Sequence, residues 1–161
     1  MDKNLILNWD ETFMQLVKLI ALRSKDPNTK TGAVIVDDNK IVVGLGYNGW
    51  VRGVEESDFP WEREGDFLHT KYAYVVHAES NTIFNSNKSV KGCTLYCDLF
   101  PCNECSKIIV QNGIKEIIYN TDKYHDEDIW IASRNILDKP GVKYRQYQSE
   151  YELELIKKKN E

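Results

Sequence analysis

Four side chains near the middle of the sequence have the types and spacing of a catalytic zinc site. His77 and Glu79 belong to the tripeptide His-Ala-Glu, and Cys102 and Cys105 belong to the segment Pro-Cys-Asn-Glu-Cys that follows a strand-like interval. One histidine and two cysteines supply three zinc ligands, which leaves a fourth tetrahedral position for water. Zinc lowers the pKa of such a water to about 7. Glu79 could then carry the water's proton to a substrate, so the pattern predicts hydrolysis.

Each motif alone is weak evidence for a catalytic zinc site, whereas the two motifs together are specific evidence for one. A CxxC segment is also typical of a redox pair, and a zinc site with no open position would be structural. The order HxE, strand, PCxxC is the signature of zinc deaminases that act on nucleobases. Catalytic zinc is therefore the favoured interpretation, and the structural zinc and the redox pair are the alternatives. Cys93 and Cys97 flank the intervening strand and are expected to be buried as small apolar residues.

The four side chains can converge only if each motif begins a helix. Residues two apart on a regular helix point about 200° apart, so His77 and Glu79 meet only at a helix start. Val75 and Val76 predict an extended approach to the first motif, and Pro101 suits the entry to the second helix. The two cysteines, three positions apart, then share one helix face.

Alternating helices and strands account for the rest of the chain. Asn8 and Glu11 are placed as the N-cap and N3 pair of a first helix that runs to about residue 20. Strands are predicted at 33–36, 41–45, 94–97, 116–120 and 142–147, and further helices at 78–85, 103–112, 127–137 and 150–158. This order predicts an α/β fold with a five-stranded sheet and helices on both faces. Residues 55–66 should form a long loop, either a solvated insertion or a lid or subunit contact.

The composition limits the class of protein. A chain of 161 residues fits one domain, 1–161. The sequence has no apolar run long enough to span a membrane and no secretory signal at its start, so its four cysteines are expected to be reduced thiols in the cytoplasm. A net charge of −4 and a pI near 5.5 lack the basic footprint of nucleic-acid binding, which favours a small substrate over a nucleic acid.

Six segments together resemble the deoxycytidylate (dCMP) deaminase family. They are RSKDP at 23–27, GYNG at 46–49, TKY at 70–72, HAE at 77–79, LFPCNEC at 99–105 and DKYHD at 122–126. The resemblance runs from about residue 16 to about residue 147. It implies the three-layer αβα fold of cytidine deaminases, with a central mixed sheet of five strands. It also implies hydrolysis of dCMP to dUMP and ammonia, which supplies dUMP for thymidylate synthesis.

The resemblance further implies regulation and assembly. Members of the family are activated by dCTP and inhibited by dTTP, with Mg²⁺ accompanying the triphosphate, and they form homo-oligomers, typically hexamers. The effector region is expected at the residues of the GYNG turn and just beyond it: Gly46, Tyr47, Asn48, Gly49 and Gly53. Val51 stands where family members often have proline, whose φ is fixed, so the shape of this loop departs from the pattern.

Single residues also receive roles from the resemblance. Three positions match the ligands of one catalytic zinc, His77, Cys102 and Cys105, and Glu79 matches the proton shuttle. Asn48 would bond the substrate sugar, and Tyr124 would lie near the nucleotide phosphate. Arg23 and Lys25 are candidate phosphate contacts, because a charged donor suits an anionic oxygen. Their alternative is a solvated helix end.

Three other functions stay open at this point. The zinc motif alone would also suit a small-molecule deaminase of the same fold that acts on cytidine, guanine or a pterin-like ring. A catalytically silent nucleotide-binding regulator would keep the zinc but would not need Glu79. An enzyme that edits tRNA or DNA would have to hold a polyanion, which this acidic chain does not suit.

Overall fold

The computed structural model describes residues 4–158. Within this range the helices are α1 (Trp9–Ala21), α2 (Ala78–Phe84), α3 (Asn103–Gln111) and α4 (Asp128–Asp138). The strands are β1 (Gly32–Val36), β2 (Val42–Tyr47), β3 (Gly49–Trp50), β4 (Val75–Val76), β5 (Thr94–Leu99), β6 (Glu116–Thr121) and β7 (Lys143–Gln146). Short 3₁₀ turns cover Phe67–His69 and Lys71–Ala73.

Five strands form one mixed sheet in the order β2-β1-β5-β6-β7. Strand β1 is antiparallel to both of its neighbours, whereas β5, β6 and β7 are parallel. Parallel neighbours need a crossover connection, and α3 and α4 supply the two crossovers. The remaining strands, β3 and β4, pair as a separate antiparallel ribbon in which Gly49 lies opposite Val76.

Helices cover both faces of the sheet because its inner strands are apolar on both sides. Along β1, Val34 and Val36 belong to the core on one face, and Ala33 and Ile35 belong to the core on the other. Helix α1 packs on the first face, with Phe13, Met14 and Val17 buried. Helices α2, α3 and α4 pack on the second, through Ala78, Ile83, Ile109 and Leu137. The predicted α/β architecture is confirmed.

The predicted helices and strands agree with the observed ones to within two residues, with two differences. The predicted helix at 150–158 is wrong, because the described residues 151–158 form neither a helix nor a strand and are exposed. A nine-residue helix with no core to pack against is marginal in water. The extended segment predicted at Val75 and Val76 is confirmed as β4, but its pairing with β3 was not predicted, since strands of two residues leave no periodic signal.

Glu11 connects the first helix to the segment that follows the last strand. Asn8 caps α1 as predicted, with its Oδ1 accepting a bond from the Glu11 N–H at 2.8 Å. The Glu11 carboxylate, however, turns away from the cap and accepts four hydrogen bonds, from the Gln15 amide, the Tyr147 and Ser149 hydroxyls and the Glu150 N–H. Burial raises the pKa of this carboxyl, but the four bonds outweigh burial and lower it to about 2. Glu11 is therefore buried as an anion.

Candidate active site

The β3–β4 ribbon delivers His77 to the start of α2. His77 is the N-cap residue of α2, with an extended backbone, and Glu79 is the second residue of the helix. Gly46 on β2 allows α2 to approach closely, because a Cβ there would lie 2.4 Å from the Thr82 backbone nitrogen. The predicted helix start at the first motif is confirmed, and it turns both functional side chains toward the same space.

The second motif begins α3 in the same way. Cys102 is the N-cap residue of α3, and Cys105 is the third residue of the helix. Helix α4 fixes the turn that leads into Cys102. Trp130 Nε1 donates to the Phe100 carbonyl at 3.0 Å, and Ser133 Oγ donates to the Pro101 carbonyl at 2.8 Å. Residues about 30 positions downstream therefore hold the PCxxC turn in place.

The two motifs converge on a donor set that fits zinc. His77 Nδ1 lies 3.3 Å from Cys102 Sγ and 3.5 Å from Cys105 Sγ, and all three donor atoms lie within 4.8 Å of one another. Tetrahedral zinc, with bonds of about 2.0–2.1 Å to nitrogen and about 2.3 Å to sulfur, requires a nitrogen–sulfur separation of about 3.6 Å. The observed separations are close to that value, so these residues can hold the ion.

The charges of the donors also suit a divalent cation. Hydrogen bonds from Cys105 and His77 outweigh burial and lower the pKa of Cys102 to about 4, which makes it a thiolate. The bond to Cys102 raises the pKa of His77 to about 9. The bond to Cys102, together with burial, raises the pKa of Cys105. A bound cation therefore releases protons from the site, as metal binding to cysteine and histidine does.

Glu79 lies beside the donor set without completing it. Its side chain is buried, and its Oε2 lies 3.6 Å from Cys105 Sγ. Burial is the main cause of its raised pKa; the Cys102 charge adds to this effect and the His77 charge opposes it. A carboxyl with a raised pKa holds a proton more readily than an exposed carboxyl does, which suits acid–base chemistry.

The match to a family model settles the family. Residues 7–121 match the model described as the cytidine and deoxycytidylate deaminase zinc-binding region. This chain belongs to the cytidine and deoxycytidylate deaminase family. The deoxycytidylate deaminase of Homo sapiens is 50% identical over 143 residues, which cover 88% of this chain and 80% of that protein. The probable deoxycytidylate deaminase of Drosophila melanogaster is 47% identical over 148 residues, which cover 88% of this chain and 73% of that protein.

A solved structure agrees with this assignment. The dCMP deaminase from the cyanophage S-TIM5, in complex with dCMP and dUMP, is 27% identical to this chain, with a TM-score of 0.70. The match covers 89% of this chain and 100% of the phage chain. The predicted three-layer deaminase fold is confirmed. The described His-Cys-Cys cluster is the group in this member of the family that can hold the zinc ion.

Asn48, predicted to bond the sugar, is largely engaged inside this deaminase. It is 6% exposed, and its Nδ2 donates to Asp26 Oδ2 at 3.2 Å and to the Thr29 carbonyl at 2.9 Å. Its Oδ1 accepts from the Thr31 N–H at 2.9 Å. These partners use both amide protons and fix the orientation of the amide. Among the described contacts one lone pair of Oδ1 is unused, so Asn48 can accept one more bond but cannot donate one.

Arg23 and Lys25 line a cavity of about 410 Å³ beside the GYNG turn. Tyr47, Gly49 and Gly53, three of the residues predicted for the effector region, line the same cavity. Gly46 and Asn48 are not among its lining residues: Gly46 packs under α2, and Asn48 is buried behind the turn. A larger cavity of about 660 Å³ lies between 110–116 and 140–143 and contains none of the predicted site residues.

Tyr124 is connected to the PCxxC turn through Trp130. Its ring packs against Trp130, with the centroids 4.7 Å apart, and Trp130 bonds the Phe100 carbonyl. The residues that line the cavity with Arg23 and Lys25 do not include Tyr124. Tyr124 therefore packs against a residue that holds the PCxxC turn, whereas Arg23 and Lys25 line the cavity beside the GYNG turn.

A buried ion pair was missed in the sequence. Lys71 Nζ lies 2.5 Å from Asp26 Oδ2, and the two side chains are 7% and 0% exposed. Asp26 also accepts bonds from the Asn28 and Thr29 N–H groups. Burial opposes these interactions, but together they lower the pKa of Asp26. Both residues belong to segments that resemble the family, yet a separation of 45 positions gives no pattern that pairs them.

Proposed function

We propose that this chain catalyses the hydrolytic deamination of dCMP to dUMP and ammonia and so supplies dUMP for thymidylate synthesis. The observation that carries the proposal is the His-Cys-Cys cluster with a buried carboxyl beside it, on a fold shared with the cyanophage dCMP deaminase. The names of the curated relatives and the nucleotides bound to the phage enzyme favour dCMP over the other ring systems that this fold accepts.

In this proposal His77, Cys102 and Cys105 hold one catalytic zinc ion. When bound, the ion would lower the pKa of a water molecule, so that hydroxide is available near neutral pH to attack the ring carbon bearing the amine. Glu79 accepts the proton of that water at a carboxylate oxygen and delivers it to the adjacent ring nitrogen. The same carboxyl then takes the second proton from the hydroxyl now on the ring carbon and gives it to the departing amine, which leaves as ammonia while the ring carbonyl forms. The burial of Glu79 limits exchange of this proton with bulk water.

The remaining pocket residues receive positioning roles. Asn48 accepts a hydrogen bond from a sugar hydroxyl through its unused lone pair, with its amide held by Asp26 and Thr29. Tyr124 lies on the phosphate side of the substrate. Arg23 and Lys25 belong to the cavity beside the GYNG turn, and so we assign them to the effector in preference to the substrate.

Ammonia release from dCMP, CMP, deoxycytidine and guanine tests the substrate. We expect turnover of dCMP well above that of the other three compounds. Turnover of deoxycytidine or guanine without turnover of dCMP would show that another deaminase of this fold is the correct assignment. No turnover of any ring by zinc-loaded protein would favour the silent regulator.

We further propose that the cavity beside the GYNG turn binds the effector, dCTP as activator and dTTP as inhibitor, each with Mg²⁺. Its basic side chains and its volume support this assignment. Curves of dCMP turnover against dCMP concentration, with and without each triphosphate, test it. We expect a sigmoidal curve that dCTP makes hyperbolic and that dTTP shifts to higher substrate concentration.

A cytoplasmic homo-oligomer, with a hexamer favoured, completes the proposal. Among the described residues, no helix is long and apolar enough to cross a bilayer. Three large apolar side chains, Phe67, Leu68 and Phe84, are each more than 60% exposed, and burial between subunits would remove them from water. Light scattering should give six times the chain mass of 18.7 kDa, and a mass of 18.7 kDa would contradict assembly.

A further inference from the structure

The cavity beside the GYNG turn contains one carboxylate among its basic side chains. Arg23, Lys25 and Arg52 line it, and Glu56 reaches it from the 55–66 loop. Guanidinium and ammonium groups donate several hydrogen bonds to phosphate oxygens, so three of them in one cavity favour a ligand with several negative charges. A carboxylate in the same place opposes such a ligand.

Both oxygens of the Glu56 carboxylate are engaged. Oε2 lies 3.0 Å from Lys25 Nζ, and Oε1 accepts a bond from the Trp61 indole N–H at 2.8 Å. The Trp61 ring stacks on Trp50, with the centroids 3.7 Å apart, and both rings line the cavity. We call Glu56 together with its partners Lys25 and Trp61 the Glu56 latch.

We propose that the Glu56 latch is an internal anion that a nucleoside triphosphate must displace from Lys25, so that Glu56 weakens effector binding and selects for highly charged ligands. This inference rests on the proposed effector function of the cavity. The Lys25 and Glu56 side chains are 69% and 43% exposed. An ion pair with this much exposure to water is weak. The several negative charges of a triphosphate therefore outcompete one carboxylate for Lys25.

The latch also distinguishes the effector from the substrate. A nucleoside monophosphate carries about two negative charges and competes less well with Glu56 than a triphosphate does. The cavity therefore stays available for the effector when dCMP is abundant. The cavity is also connected to the helix that carries Glu79, because Arg52 bonds the side chain of Asn85, the residue that follows this helix.

Charge removal with unchanged shape tests the latch. In Glu56→Gln the side chain keeps an oxygen for the Trp61 N–H but loses the charge. Glu55→Gln is the matched control, because it removes the same charge from the neighbouring position, whose side chain does not line the cavity. Binding of dTTP and of dCTP, each with Mg²⁺, is measured by titration calorimetry on the full chain. We expect Glu56→Gln to bind each triphosphate about three- to tenfold more tightly than the wild type, and Glu55→Gln to bind within about twofold of it.

Two further measurements separate displacement from other roles of Glu56. The difference in triphosphate affinity between Glu56→Gln and the wild type should become smaller as the salt concentration is raised, because salt screens exposed charges. In a Lys25→Gln background, Glu56→Gln should increase the triphosphate affinity by a smaller factor, since no ion pair is left to break. A gain of full size in that background would contradict displacement from Lys25.

The outcomes distinguish the inference from the function on which it rests. Equal affinity of wild type and Glu56→Gln, or weaker binding by Glu56→Gln, would overturn the latch and leave the effector site standing. If no variant binds either triphosphate while dCMP is still turned over, the effector assignment is wrong and the latch is wrong with it.

Discussion

Replacing Glu79 with glutamine is the most direct test of the proposed chemistry. Glutamine keeps the size of the side chain but cannot accept a proton from water or return it to the departing amine. General acid–base catalysis contributes about 10²- to 10⁴-fold to a rate, and Glu79 acts in two steps of the reaction. We therefore expect kcat for dCMP to fall at least about 10³-fold, which corresponds to about 4 kcal/mol of transition-state stabilisation. The KM should change much less, because Glu79 moves protons and is not needed to hold the nucleotide.

The zinc content decides what the loss of activity means. The three donor atoms belong to His77, Cys102 and Cys105, so Glu79→Gln should retain one zinc ion per chain, measured by elemental analysis. Glu104→Gln is the control, since it removes an exposed carboxylate from the same motif whose described partners are Lys107 and the Asn103 amide, and it should leave kcat nearly unchanged. The reasoning is refuted if Glu79→Gln with full zinc retains more than about a tenth of the activity of the wild type.

Three further predictions concern stability. The pKa of Glu11 is lowered from 4.5 to about 2, so its ionised form contributes about 3 kcal/mol to the free energy of unfolding. This contribution is complete above pH 4.5 and is lost as the pH falls toward 2. The free energies of unfolding of wild type and Glu11→Gln, measured in urea, should therefore converge over that range. Asp26→Asn leaves the Lys71 charge buried without its partner and should lower the free energy of unfolding by about 3 to 5 kcal/mol, whereas Asp37→Asn, at an exposed pair, should have a much smaller effect. Chelation of zinc should lower the thermal midpoint by about 5 °C or more, with recovery on adding Zn²⁺, because the ion binds only the folded donor set; an unchanged midpoint would contradict that coupling.

The zinc motif was predictable because its information is local. The residues within a few positions of His77 and Cys102 determine the ligand types, the ligand spacing and the helix starts that bring the ligands together. The five strands of the main sheet and three of the four later helices were predictable for the same reason, since each carries its own apolar pattern and boundary residues. What could not be predicted depends on partners far along the chain. The Asp26–Lys71 pair and the bonds from Trp130 and Ser133 to the PCxxC turn have no periodicity that identifies them.

The helix predicted at 150–158 failed for a related reason. Its composition suits a helix, but Glu11 binds the Glu150 N–H and the Ser149 hydroxyl, and the residues that follow have no buried surface to cover. Sequence gives residue types without distances, so it does not show which of the predicted phosphate contacts lie together. Only the fold shows that Arg23 and Lys25 line a cavity that does not include Tyr124.

The Glu11 carboxylate imposes an order on synthesis and folding. Helix α1 is made early, yet three of its partners for this buried anion lie at 147, 149 and 150, more than 130 residues later. Until those residues leave the ribosome, Glu11 has only the Gln15 amide and water to stabilise its charge, or it must take up a proton, so α1 cannot settle fully on the sheet. The first helix of the nascent chain therefore reaches its final position among the last events of folding, although its sequence is complete among the first.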